Sequence, residues 1–171
     1  HIEMTRDVAS RVHAKIGEVF VIPEAKIQEE NMLVPGLDGQ KMSKSKGNVI
    51  DIFQADKALR KQIMSIQTDS TALEAPKDWE SCNCFAIYKL VASEAQITEM
   101  KQNYEAGGYG YGHAKQALFE LICERFSEQR ERYTYYMSNL KEVDQALALG
   151  AKKAAAVADA VLARVREKIG Y

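Results

Sequence analysis

Three lysines and two serines crowd into GLDGQKMSKSKGN, residues 36–48, with Gly36, Gly39 and Gly47 spaced among them. Lys41 and Lys44 stand three residues apart with Met42 and Ser43 between them, and Ser45 and Lys46 follow. A lysine ammonium is a compact charge on a long flexible stem, suited to reaching a polyphosphate from a loop that moves. Two of them can neutralise the charge that develops on pyrophosphate as it leaves an α-phosphate, by positioning plus electrostatic stabilisation. The glycines supply backbone freedom for such a loop to close and open. By composition alone, a solvated turn between two elements is the commoner use of these residues.

Other constellations offer less chemistry. Cys82 and Cys84 flank one residue, and neither Cys123 nor the three histidines supplies the second pair that a four-ligand metal site needs, so no metal site is expected. GGYGYGH, residues 107–113, lacks the lysine–serine ending of a phosphate loop and follows a helical pattern instead of a strand, which makes it a turn. Its Tyr109, Tyr111 and His113 keep the option of stacking on an unpaired base. Trp79 suits an inter-helix anchor. Arg130 and Arg132 with Tyr133, Tyr135 and Tyr136 form a basic, aromatic cluster open to two uses, RNA contact or packing on a neighbouring helix. His13 and His113 have no nucleophile or carboxylate at a catalytic spacing.

The elements that must position these residues are mostly helical. The 171 residues carry a formal net charge of −1, so the chain as a whole is no electrostatic glove for nucleic acid. Interleaved signs around Arg125 and Arg164 read as solvated helix faces. No apolar run approaches a membrane span, and three cysteines without a framework spacing point to a reducing cytoplasm. Ile2, Val8, Val12 and Ile16 share a helical face that Gly17 ends. EVFVIPEAKI (18–27), MLVPGL (32–37) and NVIDIF (48–53) read as short extended segments. Helical periodicity then takes over at QADKALRKQIMSI (54–66). Asp78 is placed to cap a helix from Trp79, and Ser93 with Gln96 forms a capping-box pair. Residues 113–137 read as one long run, Asn139 as a cap, Gly150 as a separator of two helices and Gly170 as a final stop. Extended segments without sheet partners, and an opening at His1 already inside a helix, suggest the tail of a larger α/β domain in a longer protein.

The string KMSKS at 41–45 is far more specific than its composition: it resembles the signature loop of class I aminoacyl-tRNA synthetases. Likeness to the tryptophan branch of that family extends through HIEMTRDVASR (1–11), APKDWESCNCFAIYKL (75–90), AGGYGYGHAKQAL (106–118) and the terminal AKKAAAVADAVLARVREKIG. The resemblance implies that Lys41 and Lys44 contact the phosphates of ATP and stabilise the transition state of amino-acid activation. It implies that Met42, Ser43 and Ser45 complete the loop beside the nucleotide, and that Val34 lines the adenosine through its backbone.

The implied fold is mainly α: the C-terminal edge of a Rossmann-like α/β catalytic domain (1–53, with the loop), then an all-α helical bundle (54–171) that recognises the tRNA anticodon. The implied partners are ATP with Mg²⁺, L-tryptophan and tRNA(Trp), in a cytoplasmic homodimer whose contacts lie mostly outside this segment, leaving the segment free to be monomeric. The family's HIGH-like motif and tryptophan pocket are absent from these residues, so the segment alone is expected to be inactive. A second reading is a non-catalytic helical tRNA-binding module.

Overall fold

The computed structural model describes residues 1–26 and 33–171. Among them run seven α-helices: α1 Ile2–Ile16, α2 Asp56–Met64, α3 Asn83–Lys89, α4 Glu94–Ala106, α5 Tyr111–Arg125, α6 Ser127–Ser138 and α7 Leu140–Ile169. The chain is mainly helical, as expected. No described residue belongs to a β-strand, and one isolated antiparallel bridge joins Pro35 to Lys41. The extended segments around Phe20, Val34 and Ile50 therefore form no sheet among the described residues. An extended backbone becomes a strand only when another lies alongside it over several residues, and among the described residues that pairing goes no further than the one bridge. Ile27 and Met32, which the expected extended segments include, lie outside the described residues.

The chain divides into two compact units, His1–Gln28 with Tyr136–Tyr171, and Glu29–Tyr135. In the second unit α5 packs on α2 and α3. Leu59 and Ile63, one turn apart on α2, are fully buried, as is Leu118 on α5. Cys84, Phe85 and Tyr88 of α3, Met100 and Tyr104 of α4, and Ala114, Leu121 and Ile122 of α5 complete the core. Spacings of three and four put these side chains on one stripe of each helix, and each large aliphatic side chain buried there contributes roughly 1.5–3 kcal/mol. Tyr104 carries a hydroxyl into this core, where it meets the Cys82 thiol at 3.4 Å.

Local signals decide some helix ends and tertiary contacts decide others. Ser93 and Gln96 do form the capping box that opens α4. Asp78 does not cap α3, which begins only at Asn83. Its carboxylate instead accepts from the Glu80 amide at 2.9 Å and the Ser81 hydroxyl at 2.6 Å, holding a turn. The segment just before it wraps around Lys77, whose buried ammonium donates to the carbonyls of Ala72, Leu73 and Ala75 at 3.1–3.2 Å. The run at 113–137 breaks at Phe126, which leaves helical geometry (φ −106°, ψ 16°) and packs on the core.

In the first unit α7 is one helix of 30 residues with Gly150 inside it. A mid-helix glycine costs about 1 kcal/mol relative to alanine, which the alanine-rich turns on either side overrule. Gly17 (φ +83°) stops α1, after which Val19 is buried and its carbonyl accepts from Arg164 at 3.4 Å.

Leu118→Ala is expected to lower unfolding free energy by roughly 2–5 kcal/mol in a denaturant titration. Gly150→Ala, where an added Cβ meets nothing within 4 Å, is expected to raise stability by up to about 1 kcal/mol in the same titration.

Candidate functional site

The lysine loop is a reversal held without a sheet. The Gly36 amide donates to Gln40 O at 2.7 Å and the Gly39 amide to Gly36 O at 3.1 Å, with Gly39 in the left-handed region (φ +75°) that glycine tolerates best. Below this turn the Pro35–Lys41 bridge and a 2.8 Å bond from the Met42 amide to Val34 O pair the two limbs. Lys44–Lys46 make one 3-10 turn, which Gly47 ends at φ +67°.

Asn48 closes the frame. Its Oδ1 accepts from the Ser43 amide at 2.8 Å, and its Nδ2 donates to Asp38 Oδ1 at 2.7 Å and Lys41 O at 3.2 Å. Its backbone carbonyl accepts from the Leu37 amide at 2.9 Å. The residue is only 4 % exposed, and both ends of its carboxamide are satisfied, as burial demands. Gly36 permits this seat: a Cβ there would lie 2.4 Å from Asn48 Nδ2.

The frame sorts the three lysines. Lys46 Nζ is spent on Gln40 Oε1 at 2.7 Å. Lys41 and Lys44 are exposed, and neither makes an ion pair with a described residue. Two ammonium groups therefore project from a backbone whose turn is fixed, which suits a ligand with several anionic oxygens. Met42 and Ser43 are half-buried, while Ser45 is exposed and its hydroxyl lies 2.8 Å from that of Ser43. Val34 is partly exposed at the base. All six of the residues singled out from the sequence are thus brought together on one loop and its entry limb.

Asn48 and Asp38, which frame the loop, escaped that selection. Their bonds span ten positions, and only the asparagine after Gly47 hinted at more than a turn. The hydrogen bond from Asn48 is the chief reason that the Asp38 carboxyl is held below the usual aspartate range, with the Gln40 amide and the Lys46 charge adding to it. A depressed carboxylate favours the folded frame above its ordinary pKa, and that contribution is lost only as pH falls through the depressed value.

Several of the other candidates are held by packing and local hydrogen bonds. Burial pushes the Cys84 thiol up to about 12, Cys82 is buried and Cys123 half-buried. Among the described residues no three His, Cys, Asp or Glu side chains gather as metal ligands. Tyr111 donates to Asp69 at 2.7 Å, and Tyr109 lies against Tyr104 and His113 with ring centroids 6.1 and 5.5 Å apart. His113 Nδ1 accepts from the Gly110 amide, and His13 Nε2 from the Phe20 amide. Trp79 donates to Glu105 at 3.0 Å and lies under the Lys101 ammonium, 3.9 Å from the ring centre. Arg130 turns to Ile52 O and Asp56 and Tyr133 stacks on Phe53 at 4.7 Å, whereas Arg132, paired with Glu128, and Tyr135 and Tyr136 are exposed.

Residues 1–127 match the family model described as tRNA synthetases class I (W and Y). The chain is 48% identical over 170 residues to a tryptophan–tRNA ligase of Campylobacter jejuni, covering 99% of this chain and 53% of that protein. It is 44% identical over 170 residues to a tryptophan–tRNA ligase of Rhodopirellula baltica, with the same coverages of 99% and 53%. A crystal structure of the Campylobacter jejuni tryptophanyl-tRNA synthetase complexed with ADP and tryptophan superposes with a TM-score of 0.84 at 47% identity, over all of this chain and 54% of that one. The chain spans about half the length of the curated relatives it matches.

Asn48→Ala is expected to return the Asp38 carboxyl to the ordinary aspartate range in an NMR pH titration. A carboxyl that still titrates below that range in the variant would show that Asn48 is not the main cause.

Proposed function

Because the chain belongs to the class I tRNA synthetases of the tryptophan and tyrosine type, we propose that it forms part of a tryptophan–tRNA ligase about twice its length. In this reading L-tryptophan is first activated by ATP, which arrives as its magnesium complex. The tryptophan carboxylate attacks the α-phosphorus, a carboxylate oxygen–phosphorus bond forms, and the bond to the β-phosphate oxygen breaks to release pyrophosphate. The aminoacyl group of the adenylate then passes to the 3′ end of tRNA(Trp), releasing AMP.

The observation that carries this reading is the pair of unspent ammonium groups, Lys41 and Lys44, on a loop whose third lysine is already committed to Gln40. Charge accumulates on the departing pyrophosphate in the transition state, so cations aimed there lower the barrier more than they tighten substrate binding. Met42, Ser43 and Ser45 lie alongside the nucleotide, and Val34 contributes the base of the adenosine site. Val34 O accepts from the Met42 amide at 2.8 Å, which fixes the backbone of this limb against the loop.

By function, residues 1–53 belong to the nucleotide-binding catalytic domain, including its Rossmann-like edge, and 54–171 to the anticodon-recognising domain. Activation requires the remainder of the ligase, which works as a cytoplasmic homodimer. No described helix is long and apolar enough to cross a membrane.

Lys44→Ala in the whole ligase is expected to lower tryptophan-dependent ATP–pyrophosphate exchange by roughly 10²–10³ with little change in tryptophan affinity. Exchange near the unmodified rate would sink the catalytic role of the loop. No exchange from the unmodified ligase with any amino acid would favour a tRNA-binding module.

A further inference from the structure

We infer that Asn83, in the first turn of α3, is a positioning residue for the lysine loop, acting through the carbonyls of Gly36 and Leu37. Its Nδ2 donates to Gly36 O at 3.0 Å and to Leu37 O at 3.2 Å, across 47 and 46 positions of sequence. These two carbonyls lie at the entrance of the reversal, immediately before the turn that sets the direction of Lys41 and Lys44. Gly39 faces the same side chain, since a Cβ built there would sit 3.6 Å from Asn83 Cγ.

The exit of the loop is held in a similar way from α2. Gln62 Nε2 donates to Val49 O at 2.6 Å, and its Oε1 accepts from the Asp51 amide at 3.0 Å. Amide side chains of the helices thus grip both limbs of the loop, while the two ammonium groups at its tip stay uncommitted. A charge on a flexible stem is useful in a transition state only when its base is held to within a fraction of an ångström.

Two details separate positioning from plain stabilisation. Both carbonyls have other donors, the Gly39 amide at 3.1 Å on Gly36 O and the Gln67 amide at 2.8 Å on Leu37 O, so removing Asn83 orphans neither. Asn83 Oδ1, moreover, has no protein donor among the described residues, so the side chain's tie to the rest of the fold runs through Nδ2 and the loop carbonyls. Asn83 therefore ties the helices to the loop chemistry without touching substrate.

This inference rests on the function proposed above, and the test separates the two. In the whole ligase, Asn83→Ala and the isosteric Asn83→Asp are expected to lower kcat/KM for ATP in pyrophosphate exchange about tenfold or more, with KM for tryptophan unchanged and melting temperature shifted by a few degrees at most. With both Lys41 and Lys44 replaced by alanine, the same substitutions are expected to change the rate less than about twofold, because they act through the loop. Amide hydrogen exchange across residues 36–48 is expected to quicken in both variants, whether or not the protein is active. Unchanged loop exchange overturns the inference, as does a rate loss that multiplies in full on the variant lacking both Lys41 and Lys44. Collapse of the fold in both variants also overturns it, by showing that Asn83 is structural. An unmodified ligase that catalyses no exchange, with loop protection still dependent on Asn83, refutes the proposed function and leaves the positioning in place.

Discussion

The lysine loop is organised around a buried carboxamide, that of Asn48. Asn48 takes a backbone amide and gives hydrogen bonds to a carboxylate and a carbonyl, doing in one side chain what a neighbouring strand does elsewhere. Without it the limbs share with each other only a bridge and a few turn contacts, and the ties from Asn83 and Gln62 reach the entry and the exit but not the reversal's interior. The exclusion of any side chain at Gly36 follows from the same constraint, and so does the acidity of Asp38. Separation of the lysines into one structural and two available cations follows as well, since Lys46 meets Gln40 only because the turn is closed.

The helices repeat this device where regular hydrogen bonding runs out. Lys77 buries its ammonium against three carbonyls and beneath the Tyr111 ring, 5.5 Å from its centre, so an irregular segment wraps around a charge. Such a charge is tolerable only because its protons are occupied, and losing a partner would cost more than the pair contributes. Gly107 (φ +73°) lets that segment approach, since a Cβ there would lie 2.4 Å from Glu74 O. Loop and bundle therefore share one tactic: polar side chains take the place of strands, and glycines make room for them.

Legibility in the sequence follows the range of the interaction. The Ser93–Gln96 box and the stops at Gly17 and Gly170 were readable because their partners lie within one turn. Asp78 misled because the same carboxylate suits a helix cap or a turn, and here it closes a turn on Glu80 and Ser81 while α3 begins only at Asn83. Gly150 misled in the opposite sense, since its local cost is small beside the propensity of the alanines around it. Asn83 was invisible, because nothing near it in sequence hints at carbonyls 46 and 47 positions earlier.

The sequence by itself determined the family, through the KMSKS string and the likeness that runs along the chain, and the existence of most helices, through their apolar stripes. Both are local properties, written in consecutive residues. Tertiary structure alone decided which lysines stay available, which tyrosines and arginines turn inward, and which asparagines hold the loop. Those outcomes depend on hydrogen bonds between distant segments, and a buried polar group must find its partner wherever the fold brings one within about 3 Å.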